Sequence, residues 1–264
     1  FTQQIELNGV PCQGSTSIDR YYLELARQGY KCNKDTAFDC VVQIAREYEY
    51  NPVTDYLDKV YKTVSPAYID RLASTYLRPE DAHLSEPTIY DDMLKKTLIA
   101  AVTRAYEPPH KFDNACVLLG EQGSRKSTFW SVLGGEFFSD GLRDINGKDS
   151  LMILHRSWLC EMAELEAVTS KKMAGEIKSF LSQETDVFRV PYGKVTEAFP
   201  RRGIIVGSTN RHDGFLVDET GNRRFWIIKL GESIGIENPI DCESLLAERD
   251  SIWSSVVMAY KNGE

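Results

Sequence analysis

The chain has 264 residues, of which 42% are apolar and 27% are charged, as in ordinary soluble globular proteins. Its formal net charge of −8 excludes a protein that binds nucleic acid through an overall basic surface. Positive charge is nevertheless concentrated between Arg189 and Trp226, where seven Lys and Arg residues against four acidic residues give a net charge of +3. Such a segment favours a focused contact with phosphates, and a chance cluster on a solvated face is the alternative.

Cysteine and histidine are not spaced as zinc ligands. The six cysteines include no CxxC pair, and the chain has only four histidines. Cys116 and Cys160 lie within apolar runs, which predicts buried thiols in a reducing compartment. No apolar stretch approaches about 18 residues and the start has no signal-peptide pattern, so no membrane contact is predicted. The absence of an initial methionine, and an end just after a helical pattern, suggest a trimmed fragment.

The first part of the chain is predicted to be mainly helical. Residues 1–15 indicate a strand or arm with a turn, and residues 16–80 indicate four short helices. One of these helices begins with Asn51 as a cap and Pro52 at its first position. A polar connector over residues 78–87 is the candidate boundary. It predicts a helical region over residues 1–85 and a second domain over residues 86–264.

The second domain alternates helices and apolar strands. After an amphipathic helix that ends at Pro108, strands are predicted in ACVLLG, SWLCEMAELE, RRGIIVGSTN and RRFWIIKL. Helices over residues 124–134 and 170–183 separate them, which predicts an α/β fold with a parallel sheet. Residues 186–199 alternate in polarity around a turn at 191–193, which indicates a β-hairpin.

The first strand leads into a loop with the sequence GEQGSRKS, which matches the phosphate-binding pattern GxxxxGK[ST] at every position but one. Backbone N–H groups of such a loop surround phosphates at a helix N-terminus, the lysine reaches the β- and γ-phosphates, and the serine hydroxyl contacts Mg²⁺. We therefore predict an ATP and Mg²⁺ site. The predicted nucleotide-binding residues are Gly120, Gln122, Gly123, Ser124, Arg125, Lys126, Ser127 and Thr128.

Arg125 is the departure from this pattern. A glycine before the lysine permits a positive φ and a close approach of the main chain to phosphates. An arginine in that conformation costs about 1–2 kcal/mol, and its side chain either crowds the phosphates or adds a charge to them. The alternative to a nucleotide site is a decayed loop that keeps only the fold.

Polar residues follow the later strands. Glu161 and Glu164 follow the apolar part of the second strand, where acids hold Mg²⁺ and polarise the attacking water. They could instead simply open a helix, because acids are favoured by the helix dipole. Asn210 ends the third strand, where its amide can bind both the γ-phosphate and the attacking water.

Two further groups are candidate sites. Arg223 and Arg224 precede the last strand, and one of them could act as an arginine finger on a neighbouring subunit; surface salt bridging is the alternative. The hairpin carries Arg189, Tyr192 and Lys194, which suit single-stranded nucleic acid by phosphate pairing and base stacking. Considered alone, that hairpin would be taken as structural.

Taken together, these segments resemble the virulence-associated protein E family, which belongs with the superfamily 3 helicases of phages, viruses and mobile elements. The resemblance is carried, in this order, by LLGEQGSRKST, WLCEMAELEAV, IKSFLSQETDVFRVPYGKV, PRRGIIVGSTN and FLVDETGNRRFWII. It covers about residues 90–230 and is looser upstream, where NPVTDYLDKV is similar to the family's helices before the ATPase.

The resemblance implies an AAA+-like P-loop ATPase with a central, largely parallel sheet. It implies a homo-oligomeric ring, a hexamer when complete, that moves on single-stranded or forked DNA with ATP and Mg²⁺ in a bacterial or infected-cell cytoplasm. Members often carry or accompany a primase domain. The implied roles are Walker A for Gly120, Gly123, Lys126 and Ser127, Walker B for Glu161 and Glu164, sensor for Asn210, and finger for Arg223 or Arg224. The family's motif between Walker B and the sensor falls on Lys178, Asp186 and Arg189, with the hairpin tip near Lys194, and the residues expected to contact DNA are Lys178, Arg189, Tyr192 and Lys194.

The sequence is consistent with three functions. The leading hypothesis is a helicase-type ATPase of a phage or mobile-element replication protein. The second is a degenerate scaffold that binds DNA or a partner without efficient turnover. In this case Arg125 would be the sign that the ATPase has degenerated. The third is a small-molecule P-loop kinase, and the basic hairpin and the paired arginines argue against it.

Overall fold

A computed structural model describes residues 6–7, 10–11, 14–143, 145, 147–162, 171–189, 196–210, 222–231, 235–237 and 239–264. The chain divides into two units, Thr2–Pro52 and Val53–Glu264. This division differs from the predicted boundary at residues 85 and 86. The reason is that Val53, Leu57 and Val60 are buried in the same core cluster as residues of the central sheet.

The unit Thr2–Pro52 contains a strand pair and two helices. Strands β1 (Glu6–Leu7) and β2 (Val10–Pro11) pair antiparallel, and helices α1 (Gly14–Arg27) and α2 (Lys34–Glu47) follow. Asn33 caps α2 by accepting a hydrogen bond from the Thr36 N–H at 2.7 Å. Among the described side chains of residues 21–52, only Ala37 is buried.

The unit Val53–Glu264 is an α/β structure, as predicted. Its helices and strands, in chain order, are α3 (Pro52–Thr63), α4 (Leu72–Tyr76), α5 (Ile89–Tyr106), β3 (Ala115–Leu119), α6 (Lys126–Gly134), β4 (Phe138–Ser139), α7 (Lys148–Arg156), β5 (Leu159–Met162), α8 (Lys171–Leu181), β6 (Thr185–Phe188), β7 (Glu197–Pro200), β8 (Ile204–Thr209), β9 (Phe225–Lys229) and α9 (Cys242–Lys261). The four predicted sheet strands and the hairpin strands are confirmed. β4 and α7 are additions to the predicted elements.

The central sheet has five strands in the order β4-β5-β8-β3-β9, and every neighbouring pair is parallel. The remaining strands, β6 and β7, form a separate antiparallel pair. Because the strands of a parallel sheet end at one edge, the segments that follow β3, β5 and β8 come together there. This arrangement agrees with the central, largely parallel sheet that the family resemblance implies.

Helices cover both faces of the sheet. Alternate residues of β3 belong to different core clusters, Cys116 and Leu118 to one and Ala115 and Val117 to the other. The first cluster contains buried residues of α3, α4, α5, α6 and α9, and the second contains buried residues of α7 and α8. Cys116 and Cys160 are fully buried as predicted, and burial raises the pKa of both thiols to about 12.

Three fully buried tryptophans connect these layers through their indole N–H groups. Trp158 donates to the Ala101 carbonyl at 2.9 Å and so joins the start of β5 to α5. Trp253 donates to the Leu133 carbonyl at 2.9 Å and joins α9 to α6. Trp130 donates to the Gly207 carbonyl at 3.3 Å and joins α6 to β8. A buried indole N–H needs such an acceptor, so these bonds fix how each helix sits on the sheet.

Two features are absent from the described part of the chain. None of its helices combines the length and the apolar character needed to cross a lipid bilayer. Within the same residues, no group of three or more His, Cys, Asp or Glu side chains is placed to hold a metal ion by itself.

Gly203 lies where β8 approaches the start of β5, and we predict that it does not tolerate a side chain. A Cβ there would lie 2.5 Å from the carbonyl oxygens of both Ser157 and Trp158. These are backbone atoms, so relieving the clash would require the main chain to shift. Gly203→Ala should therefore lower the free energy of unfolding by about 1–3 kcal/mol or more. The measurement is urea unfolding followed by circular dichroism.

Gly175→Ala is the matched control, because Gly175 lies within α8 and a Cβ there meets nothing within 4 Å. Alanine at this position should stabilise the protein by about 0.5–1 kcal/mol. Equal stability of the two alanine variants would contradict the close approach of β8 to β5.

Candidate functional site: a phosphate loop at the edge of the sheet

The phosphate-binding pattern forms a loop between β3 and α6, as the sequence predicts. Gly120 follows β3 directly, and its N–H donates to the Thr209 carbonyl at 3.3 Å, which links the loop to the end of β8. Gly123 has a φ of 89°, a conformation that suits glycine. The loop ends at the N-terminus of α6. At this end of a helix the first N–H groups are free to bind an anion, and the helix dipole is positive. The backbone therefore has the form of an anion-binding cradle.

Arg125 adopts the conformation that the missing glycine would adopt. Its φ is 63° and its ψ is 25°, in the left-handed region, and it is the N-cap residue of α6. In the described part of the chain, the only other non-glycine residue with a positive φ is Arg78. The loop thus keeps the usual backbone path in spite of the arginine, at a cost of about 1–2 kcal/mol for an L-residue.

The Lys126 ammonium group lies inside this loop and is only 7% exposed. Its Nζ donates to the carbonyl oxygens of Gly120 at 2.9 Å and Glu121 at 2.6 Å. It also lies 3.2 Å from the Ser124 hydroxyl and donates to the Asn210 Oδ1 at 2.8 Å. Asn210 follows β8, so this contact joins the predicted lysine and the predicted sensor residue across two neighbouring strands.

Ser127 and Glu161 meet beside the lysine. The Ser127 hydroxyl donates to the Glu161 Oε1 at 3.0 Å. Glu161 lies in β5 and is fully buried, and its other oxygen, Oε2, has no hydrogen-bond partner among the described residues. Burial raises the pKa of Glu161, while hydrogen bonds from Ser208 and Ser127 act to lower it. A hydroxyl and a buried carboxylate with an unpartnered oxygen fit Mg²⁺, which prefers oxygen ligands. Glu164 lies outside the described residues.

Asp140 is a neighbour of this site that the sequence analysis missed. It directly follows β4, and its negative charge contributes to the raised pKa of Glu161. Because β4 has only two residues, no apolar run predicts it, and the acid after it carries no strand signal. Ser208 was missed for another reason, since a serine inside a strand gives no sign of the side chain it contacts.

The sequence of residues 58–264 matches the family of virulence-associated protein E-like domains. The chain belongs to this family. The match begins in α3 and extends through the phosphate loop to the end of the chain. None of the curated proteins compared has a matching sequence.

Two solved structures of the NrS-1 C-terminal region, both of the A form without ligand, are similar in fold to this VapE-like domain. Each superposes with a TM-score of 0.50 at 15% sequence identity and covers 74% of the chain. The chain spans about half the length of these structures, 47% of one and 46% of the other. At this identity the similarity concerns the fold.

The two predicted finger residues of the VapE-like domain differ in their surroundings. The Arg224 Nε donates to the Ser182 hydroxyl at 3.0 Å and lies 3.7 Å from the Asp113 Oδ2, with 22% of its side chain exposed. The Arg223 side chain is exposed, and its carbonyl accepts a hydrogen bond from Asn114 at 2.8 Å. Arg224 is therefore engaged within the chain, and Arg223 faces solvent.

The β6–β7 hairpin of the VapE-like domain is anchored by a buried charge network. The Arg201 guanidinium donates to both carboxylate oxygens of Asp186, at 2.7 and 2.8 Å. His155 of α7 lies 2.9 Å from Asp186 Oδ2, and its ring packs against Phe188 and Phe199 of the hairpin. Arg201, from the basic segment noted in the sequence, is only 2% exposed, so it does not contribute to a surface patch.

The predicted DNA-contacting residues are placed as follows. Lys178 lies in α8 and is 8% exposed, whereas Arg189, just after β6, is exposed. Tyr192 and Lys194 lie outside the described residues. The role of these residues in DNA binding stays a prediction, and Arg189 is the one described member of the set with its side chain in solvent.

We predict that the Asp186 network contributes acid-sensitive stability. Burial alone would raise the pKa of Asp186, but hydrogen bonds and positive charge from Arg201 and His155 lower it to about 2. A lowered folded-state pKa stabilises the protein above the unfolded value of about 3.9, and this contribution is lost as the pH falls from about 4 towards 2. Asp186→Asn should lower the free energy of unfolding at pH 7 by about 3–5 kcal/mol, because the buried Arg201 loses its negatively charged partner.

Urea unfolding between pH 3 and pH 7 checks both parts of this prediction. The parent protein should lose stability at the acid end, and the loss attributable to this group should be missing in Asp186→Asn. Glu86→Gln is the control, since Glu86 is an exposed connector residue. An equal loss of stability at acid pH in the parent and in Asp186→Asn would contradict the assignment of this loss to Asp186.

Proposed function

We propose that this VapE-like domain binds and hydrolyses ATP with Mg²⁺ and is the motor part of a DNA replication protein of a phage or mobile element. The observation that carries the proposal is the meeting of Lys126, Ser127, Glu161 and Asn210 beside one phosphate loop. These residues come from the ends of three neighbouring parallel strands and from the first turn of α6. Phosphoryl transfer requires this combination of positive charge, metal-ligating oxygens and a group that orients water.

Each side chain has a role that follows from its chemistry. The N-terminus of α6 and the Lys126 ammonium would stabilise the negative charge of the β- and γ-phosphates. Ser127 and Glu161 would hold Mg²⁺, which when bound polarises the phosphate oxygens. The Asn210 amide would bind the γ-phosphate and the attacking water. Glu164 remains a predicted second acid for the water.

Nucleotide binding must first change the partners of Lys126. The ammonium group is held by two loop carbonyls and by Asn210. Phosphate oxygens are charged acceptors, and charge-assisted hydrogen bonds are about twice as strong as neutral ones. A triphosphate can therefore replace the carbonyls, and Asn210 is then released to contact the γ-phosphate. The same exchange would link occupancy of the loop to the end of β8.

DNA binding and assembly are part of the proposal. Arg189, together with Tyr192 and Lys194, would contact single-stranded DNA, and Arg223 is the finger candidate because Arg224 is held by Ser182 and Asp113. A homo-oligomeric ring, a hexamer when complete, would bring Arg223 to a neighbouring nucleotide. A primase domain or partner is proposed from the family resemblance alone.

A degenerate scaffold is the second candidate, and the observation that favours it is the strained φ of Arg125. Such a scaffold would keep the fold and bind DNA or a partner without efficient turnover. Restoring the glycine separates the two functions, since Arg125→Gly should greatly improve nucleotide binding only if the arginine has disabled the loop.

We predict that Lys126→Ala abolishes ATP hydrolysis. The substitution removes the ammonium charge from the loop, and loss of a preorganised charge at the transferring phosphate lowers turnover by about 10²–10³-fold or more. Hydrolysis is measured as phosphate release in Mg²⁺, with and without single-stranded DNA, beside the mass of the protein in solution. Lys96→Ala, at an exposed lysine of α5, is the control. Parent-like hydrolysis by Lys126→Ala would refute the loop assignment.

Arg189→Ala should weaken the effect of single-stranded DNA. Removing one phosphate contact should lower DNA affinity and reduce the salt slope of binding by about 1. Hydrolysis without DNA should stay near the parent value, because Arg189 does not belong to the nucleotide site. Fluorescence anisotropy with labelled single-stranded DNA at several salt concentrations measures both quantities. Arg143→Ala, at an exposed arginine between β4 and α7, is the control. Equal salt slopes for Arg189→Ala and the parent would remove Arg189 from the interface.

A further inference from the structure

The three hydrogens of the Lys126 ammonium group are all used within the chain. The Nζ donates to the carbonyl oxygens of Gly120 and Glu121 at 2.9 and 2.6 Å, and to the Asn210 Oδ1 at 2.8 Å. An ammonium group has three N–H donors and no acceptor, so these three bonds account for all of them. The Ser124 hydroxyl, at 3.2 Å, is a fourth and more distant neighbour. A phosphate oxygen can therefore bind the ammonium group only by displacing one of these partners.

Asn210 differs from the other partners of the lysine, because it belongs to another strand and contributes a side chain. It directly follows β8, it is exposed, and its amide can rotate without a change in the backbone. The N–H of Gly120 donates to the Thr209 carbonyl at 3.3 Å, which keeps the end of β8 beside the loop. The Asn210 amide therefore stays within reach of Lys126 after their bond opens, and the same bond can form again.

The Lys126–Asn210 bond stabilises the loop in the absence of a ligand. Lys126 is only 7% exposed, and a positive charge in such a position requires oxygen partners. The Asn210 oxygen therefore competes with phosphate oxygens for the same ammonium group. A triphosphate offers Asn210 a new partner in return, because its amide would bind the γ-phosphate. A diphosphate has no γ-phosphate, so the bond that it breaks is not replaced.

We propose that the Lys126–Asn210 contact favours the release of ADP. The inference rests on the proposed nucleotide-binding function. Once the γ-phosphate has left as inorganic phosphate, the Asn210 amide loses that partner and its oxygen binds the Lys126 ammonium group again. This bond draws the lysine away from the β-phosphate, so the site holds ADP less firmly. Asn210 thus opposes the binding of the product, besides its proposed contact with the γ-phosphate of the substrate.

The affinities of Asn210→Ala for two nucleotides test the proposal. The probes are fluorescent analogues of ADP and of non-hydrolysable ATP, each with Mg²⁺. Asn210→Ala should bind the ADP analogue about tenfold more tightly than the parent, the size expected for one hydrogen bond to a charged donor. Dissociation of this analogue, followed after adding excess ADP, should slow by a similar factor. The ATP analogue should gain less, because the variant also loses the contact with the γ-phosphate.

Two further variants make the measurement specific. Asn262→Ala removes an exposed asparagine at the end of α9 and should leave both affinities unchanged. Asn210→Ser keeps a polar side chain that is too short to replace the amide, so it should resemble Asn210→Ala. Melting temperatures without nucleotide are measured for every variant. The serine variant decides the question if the alanine variant melts below the parent.

Acetylation of lysines by acetic anhydride, followed by peptide mass spectrometry, examines the contact without nucleotide. Lys126 should react faster in Asn210→Ala than in the parent, because hydrogen bonds to the charged form of an amine disfavour the neutral form that reacts. Lys96, an exposed lysine of α5, is the internal reference and should react equally in both proteins. Equal rates at Lys126 would show that Asn210 does not hold the ammonium group, and would overturn the inference.

The remaining outcomes separate this inference from the proposed function. Unchanged or weaker binding of the ADP analogue by Asn210→Ala overturns the role in product release, while nucleotide binding by the parent stays established. An equal gain in affinity for both analogues overturns the distinction between diphosphate and triphosphate on which the inference depends. A parent protein that binds neither analogue overturns the proposed function and this inference together.

Discussion

The organisation of this domain depends on one buried ammonium group. Lys126 lies within the turn that follows β3 and is held by its carbonyls, and it also reaches Asn210 at the end of β8. A positive charge in a largely buried position must have such oxygen partners. The neighbouring Ser127 then meets Glu161 of β5, so that three adjacent strands contribute to one small polar region. The rest of the unit Val53–Glu264 provides the apolar layers that hold these strand ends in register.

Much of this arrangement could be predicted from the sequence, for physical reasons. Strands that are buried on both faces appear as short continuous apolar runs, and β3, β5 and β8 do so. The edge strand β9 is only partly buried, but its sequence is also largely apolar. Parallel strands end at one edge, so Lys126 and Asn210 could be expected to meet although 84 residues separate them. The loop pattern also predicted a positive φ at residue 125, which the structure has.

Other features could not be predicted because their signals are not local. β4 has two residues and leaves no pattern, so Asp140 was missed beside Glu161. The basic segment seemed to be one surface patch, but Arg201 is buried against Asp186 and Arg224 is held by Ser182. The division at residue 52 depends on whether α3 contributes to the core, and a helical pattern does not say which neighbour it packs against.

The tryptophans have an experimental consequence. The chain has four, and Trp130 lies on α6 only four residues beyond Lys126, with its indole N–H on the Gly207 carbonyl near the end of β8. Trp158 and Trp253 are fully buried with ring centroids 4.3 Å apart, and they are surrounded by the apolar core. Indole emission depends on the polarity and hydrogen bonding around the ring. Trp130 is thus an intrinsic optical reporter beside the phosphate loop, while the buried Trp158–Trp253 pair offers an internal reference for the integrity of the core.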